Sequence, residues 1–294
     1  MTLNILKGYE ETLSKCMFNN EVTINFITNN NDDLEFKIDV INNLKKNIAF
    51  WSQYWTPEKE IMLFHGNEND LEWMKDKLTI LNMVDGLNMK TINSYSNVGG
   101  GGIVGEKLNV PLFWQIIGSE IPAFELKNVG LAKLSGHLYA HIAQPGLLNS
   151  VANNHVKITS MPSWYVEGQS DYHTVCLLGD DFIKNREKFL TTAYVPDGYK
   201  EKIKSASKDD WYNILLNDGN FETIPVTYEY WSGFLVYENL VINFGVDKVM
   251  DLIIDFADTT DFRKSMSNVL DLNYKDFYVE MSDLLHNSAK NVVI

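Results

Sequence analysis

Two histidines four residues apart, His137 and His141, constrain the fold of this chain more than any other feature of its sequence. Residues at this spacing on a helix lie one above the other on the same face, so both imidazoles can reach a single metal ion. A carboxylate from a second helix, Glu167, can complete a set of two histidines and one glutamate. The sequence therefore predicts two helices that together hold a divalent ion.

An apolar stripe on the same helix offers a structural alternative. Leu131, Leu134, Leu138 and Ile142 recur at helical spacing, which is typical of the buried face of an amphipathic helix. A pair of histidines at this spacing is also expected by chance in roughly one such sequence in ten. Leu138, which lies between the two histidines, is then simply a core residue.

The segment 161–172 favours the metal interpretation, because it carries a recognisable motif around Glu167. It resembles the P-x-W-(F/Y)-x-E-G-x-(A/S)-(E/D)-Y segment of the gluzincin metallopeptidases, the thermolysin-like zinc peptidases, and 25 residues lie between His141 and Glu167. Residues 230–248 and 262–285 resemble later helices of that family. The resemblance covers most of the chain and implies that His137, His141 and Glu167 are ligands of Zn²⁺.

The resemblance also implies roles for residues around the ligands. Asp171, one turn beyond Glu167, matches a position where an acid can hold a ligand histidine by its second nitrogen; an exposed helix acid is the equal alternative. Tyr228 or Tyr230 could stabilise a developing oxyanion, although aromatic packing is the favoured explanation for each alone. No further cofactor is expected.

Leu138 stands where that family has its general-base glutamate. In such enzymes the glutamate takes a proton from the zinc-activated water and passes it to the leaving amine, a contribution of about 10²–10⁴ in rate. Leucine has no group that can carry a proton. The chain is therefore predicted to keep the metal site of a peptidase and to be catalytically inactive or strongly impaired.

Three functions are compatible with these observations. The first is a pseudo-peptidase that binds a peptide or a protein partner. The second is an active zinc peptidase that uses another carboxylate, such as Asp171 or a residue distant in sequence. The third is a structural or assembly protein, for example a virion component, in which the cleft is vestigial.

The implied fold is α+β and zincin-like, with a twisted mixed sheet, an active-site helix and a helical lobe. Residues 1–127 are expected to form an N-terminal α/β lobe, 128–180 the site-bearing helices and 181–294 the C-terminal helical lobe of one compact unit. Apolar periodicity predicts strands over 20–27, 60–64, 97–104 and 107–114, and helices over 32–54, 67–78, 129–144, 163–178, 229–244, 247–258, 261–270 and 274–287. Pro145 is expected to end the helix of the two histidines, and 180–225 to be irregular. The four glycines of 99–102 suit a hairpin or an edge strand.

Composition excludes several classes of function. A net charge of −14 argues against a nucleic-acid-binding surface, since phosphate contacts need clustered Lys and Arg. Two cysteines exclude a disulfide framework. Neither a secretory signal nor an apolar run long enough for a membrane span is visible. The expectation is a soluble protein that is cytoplasmic or virion-associated.

Overall fold

The computed structural model describes most of the chain: residues 2–17, 22–29, 34–57, 59–80, 98–103, 112–117, 123–152, 156–179, 181–193, 197–217 and 226–291. In chain order, the elements are α1 (Thr2–Ser14), β1 (Thr23–Thr28), α2 (Leu34–Trp51), β2 (Glu60–Asn67), α3 (Leu71–Ile80), β3 (Val98–Ile103), β4 (Leu112–Ile117), α4 (Ala123–Val151), α5 (Ser163–Leu177), α6 (Phe182–Lys188), α7 (Asp197–Ser205), α8 (Lys208–Leu216), α9 (Val226–Phe244), α10 (Val246–Thr259), α11 (Phe262–Leu270) and α12 (Tyr274–Ala289). The chain forms two compact units, Cys16–Ala143 and Met1–Lys15 with Gln144–Ile294. The division falls inside α4.

The unit Cys16–Ala143 contains a four-stranded mixed sheet in the order β1-β2-β4-β3. Strands β1, β2 and β4 are parallel, and β3 pairs antiparallel with β4. The predicted α+β class and the mixed sheet are confirmed. Helix α2 follows β1 and presents Val40, Leu44, Ile48 and Trp51 as buried residues, as its helical spacing predicted.

The glycine run forms β3, which lies at one end of the order of the four described strands, with β1 at the other. Gly100 pairs with Gln115 and Gly101 with Trp114, so each glycine lies beside a larger residue of β4. Among the strands that the structure describes, β3 is therefore an edge strand, as predicted.

The other unit is helical in all its described parts and includes the N-terminal helix α1, which the sequence pattern did not predict. Glu11 of α1 accepts a hydrogen bond at 2.9 Å from the backbone N–H of Val246, the first residue of α10. Lys15 donates to Asp247 at 2.6 Å. These contacts join the start of the chain to its C-terminal helices.

Two predictions about this unit are wrong. Helix α4 does not end at Pro145 but continues to Val151, with the proline inside the helix. Residues 180–225 are not irregular, because α6, α7 and α8 lie within them. Two of these short helices are capped at their N-termini by side chains. Asp181 accepts a hydrogen bond from the backbone N–H of Lys184 at the start of α6, and Ser207 forms a reciprocal capping box with Asp210 at the start of α8.

Candidate metal centre

The two histidines on α4 lie side by side, as their spacing predicted. Their Nε2 atoms are 2.9 Å apart, and their rings are nearly perpendicular at 86°. His137 is 7% exposed, while His141 is partly buried. Two imidazole nitrogens are thus presented together at one point on the helix surface.

Glu167 of α5 brings a carboxylate oxygen to this pair. One ligand atom from each of His137, His141 and Glu167 lies within 4.8 Å of the others, and no other group of this kind occurs in the part of the chain that the structure describes. Tetrahedral zinc, with bonds of about 2.0–2.2 Å, places neighbouring ligand atoms about 3.3–3.6 Å apart. All three ligand atoms lie within 4.8 Å of one another, close enough for the three residues to share one divalent ion.

Gln144, in the second half of α4, forms hydrogen bonds with α5 beside Glu167. It is fully buried and follows His141 by three residues, so it lies on the same side of α4. Its side-chain amide donates to the backbone oxygen of Val166 at 2.8 Å and to Gln169 Oε1 at 2.9 Å. These acceptors flank Glu167 in the sequence, and the hydrogen bonds fix that stretch of α5.

Gly168 lets α5 approach α9 very closely at the position after Glu167. A Cβ atom on Gly168 would lie 2.2 Å from the backbone oxygen of Gly233, and one on Gly233 would lie 2.5 Å from the backbone oxygen of Trp164. No side chain fits at either position without moving a helix. The glycine of the Glu-Gly motif therefore sets the packing of the helix that carries the ligand.

Leu138, which follows His137 in the sequence, is buried, with 5% of its surface exposed. Ile142 is also buried, which confirms that part of the predicted apolar stripe. The side chains of Leu131 and Leu134 lie outside the described residues. Directly after His137, the structure thus has a packed aliphatic side chain.

The remaining predicted site residues have different outcomes. Asp171 is fully buried on α5, so it is not an exposed helix acid; its contact with a ligand histidine stays a prediction. Tyr230 is partly buried on α9, and the side chain of Tyr228 lies outside the described residues. An oxyanion-stabilising role for either tyrosine stays a prediction.

Glu229, at the start of α9, is an acidic neighbour of the site that the sequence did not reveal. It is 3% exposed, forms a side-chain hydrogen bond with Ser163 and interacts electrostatically with Glu167. Burial, and secondarily the charge of Glu167, raise the pKa of Glu229 to about 7. Glu229 lies four residues before Gly233, the residue through which α9 meets α5.

His173, further along α5, belongs to a buried polar network. Its Nε2 lies 2.8 Å from the hydroxyl of Tyr237, which also accepts from Gln169 at 3.2 Å. Burial lowers the pKa of His173 to about 3, so its imidazole is neutral. His173 is not a member of the ligand cluster.

Comparison of the sequence with known proteins gave no match to a family model and no similar curated protein. The resemblance to gluzincin peptidases therefore stays a prediction from the motif around Glu167. Within the described residues, every helix is too short or too polar to cross a membrane.

Proposed function

We propose that this protein binds one divalent metal ion, zinc by its donor chemistry, through His137, His141 and Glu167. The observation that carries the proposal is the convergence of their three ligand atoms within 4.8 Å. Two neutral imidazoles and one carboxylate suit zinc and related first-row ions. Three protein ligands also match zinc sites that keep one position open for another molecule.

We further propose that the site is that of a metallopeptidase-like protein that binds a peptide or protein and does not hydrolyse it efficiently. A bound divalent ion would supply Lewis acidity, which polarises a carbonyl oxygen. The chain supplies the imidazole nitrogens of His137 and His141 and the charge of Glu167. Leu138 supports the loss of hydrolysis, because an aliphatic side chain that is 5% exposed can neither accept nor donate a proton.

Metal binding is tested first, by titrating the purified protein with zinc against a chromophoric chelator. We expect one ion per chain. His141→Gln removes a ligand, so we expect it to weaken zinc binding by more than about 100-fold, the upper end of the effect of outer-shell substitutions. His286→Gln is the matched control, because His286 of α12 lies 3.0 Å from the backbone oxygen of Ala206 and is outside the ligand cluster. Failure of the native protein to bind zinc, or equal affinity in both variants, would contradict the proposed site.

The predicted loss of hydrolysis is tested at position 138. We expect no peptide cleavage by the native protein above the level of a metal-free sample. In Leu138→Glu we expect cleavage faster by about 10²–10⁴, the usual contribution of a general base. Leu138→Gln is the matched control, since it places a polar side chain of the same size at the same buried position but carries no base. Cleavage by the native protein at the rate of Leu138→Glu would show that the chain is a working peptidase.

A further inference from the structure

Glu229 faces the side of α5 that carries the metal ligand. Ser163 and Glu167 are four residues apart, so they lie one above the other on one face of α5. Glu229 forms a hydrogen bond with the first and interacts electrostatically with the second. Its carboxyl group therefore lies against the face from which Glu167 reaches the site.

The close crossing of α5 and α9 holds Glu229 in this place. Gly233 follows Glu229 by four residues and is on the same face of α9. A Cβ atom on Gly233 would lie 2.5 Å from the backbone oxygen of Trp164 and 3.0 Å from the backbone nitrogen of Gly168. The two backbones therefore pack directly against each other at this point, one helical turn from Glu229, which places its carboxyl group opposite Ser163 and Glu167.

The surroundings of Glu229 are unfavourable for a carboxylate. The side chain is 3% exposed, and among the described residues its Oε2 atom is buried without a hydrogen-bond partner. A buried negative charge beside a second carboxylate is costly, because both lose water and they repel each other. A divalent cation at Glu167 would replace this repulsion by attraction.

We propose that Glu229 is the second carboxylate of the metal centre, a positioning residue outside the three ligands whose charge raises the affinity for a divalent cation. The inference rests on the proposed zinc site. Glu167 and Glu229 together balance the charge of one divalent ion, whereas His137 and His141 are neutral as ligands. The buried charge of Glu229 thus destabilises the metal-free protein, and its attraction to the bound ion offsets this destabilisation.

The test is the pair of variants Glu229→Gln and Glu229→Asp, each compared with the native protein in the same buffer. Glutamine keeps the size and an acceptor for Ser163 but removes the charge, and aspartate keeps the charge. We expect Glu229→Gln to weaken zinc binding by about 10–100-fold, the effect typical of outer-shell partners, and Glu229→Asp to retain most of the affinity. In chelator, Glu229→Gln is expected to melt at the native temperature or above it.

A variant that loses zinc affinity but keeps its melting temperature separates an electrostatic role of Glu229 from a structural one. Asp251→Asn is the control: the pKa of Asp251 is also raised by burial and a neighbouring carboxylate, but that neighbour is Asp247. Its zinc affinity should equal that of the native protein. Zinc binding by Glu229→Gln within about threefold of native, below the outer-shell range, would overturn the inference and leave the zinc site intact. A lower melting temperature of Glu229→Gln in chelator would also overturn it. Absence of zinc binding by the native protein would instead overturn the proposed site itself.

Discussion

Replacing Gly168 by alanine tests the helix crossing that positions Glu167. The added Cβ atom would lie 2.2 Å from the backbone oxygen of Gly233 and 2.3 Å from its carbonyl carbon. Helices α5 and α9 must therefore separate by about 1 Å before an ordinary contact is restored. Overpacking of this kind costs about 1–3 kcal/mol or more, and the higher helix propensity of alanine offsets about 1 kcal/mol. Because the obstacle is backbone, we expect a net loss of about 2 kcal/mol.

The loss is measured by thermal or urea unfolding in the presence of chelator, so that metal binding does not contribute. For a unit of 150–250 residues, about 2 kcal/mol lowers the melting temperature by about 4–8 °C. Gly8→Ala on α1 is the control, since its Cβ would meet only side-chain atoms, Tyr172 Oη at 3.0 Å and Val241 Cγ1 at 3.2 Å. Gly8→Ala should therefore change the free energy of unfolding by less than about 1 kcal/mol. Equal stability of Gly168→Ala and the native protein would refute the close crossing.

Two further predictions concern buried charge near α9. The pKa of His173 is 6.5 in the unfolded state but about 3 in the folded state, so on acidification the unfolded state takes up a proton first. Between about pH 6.5 and 4.5, the free energy of unfolding of the native protein, relative to that of His173→Gln, should therefore fall by about 1.4 kcal/mol for each pH unit of acidification. A difference in urea unfolding that does not change with pH would contradict this. Arg186 donates two hydrogen bonds of 2.7 Å to Glu238, which is 4% exposed. Arg186→Met leaves this carboxylate buried without its partner and should lower the free energy of unfolding by about 3 kcal/mol, whereas adding Glu238→Gln should restore most of that loss. Additive losses in a double-mutant cycle would show that the pair is not coupled.

The ligand cluster could be predicted from the sequence because it depends on local spacing. His137 and His141 share a helix face whatever surrounds them, and Glu167 was found through its own short motif. The apolar pattern of α2 was equally informative, since one face of that helix is buried in its unit.

Glu229 and Gln144 could not be found in this way, because their roles depend on which helices pack together. Nothing local distinguishes Glu229 from an ordinary acid in the first turn of a helix. Its place beside Glu167 follows from the contact between Gly168 and Gly233, which are 65 residues apart in the chain. Such a long-range pairing has no signature in a single sequence.

The errors over Pro145 and residues 180–225 have related causes. Proline removes one backbone donor and usually ends a helix, but α4 continues for six more residues to Val151, beyond the contacts that Gln144 makes with α5. Helices α6 to α8 are each nine residues or fewer, too short for a clear apolar period. The capping box of Ser207 and Asp210 was a local signal that could have identified α8.

The attachment of α1 to α10 has a consequence for the order in which the protein is completed. Glu11 is 235 residues away from its hydrogen-bond partner Val246, and at about 5–20 residues per second the ribosome needs about 10–50 s to make the chain between them. During that time the whole of Cys16–Ala143 is synthesised, while α1 still lacks its partner. We therefore expect α1 to contact Tyr172 and Phe182 as soon as those residues have emerged, and to complete its polar attachment only after Val246 has been made.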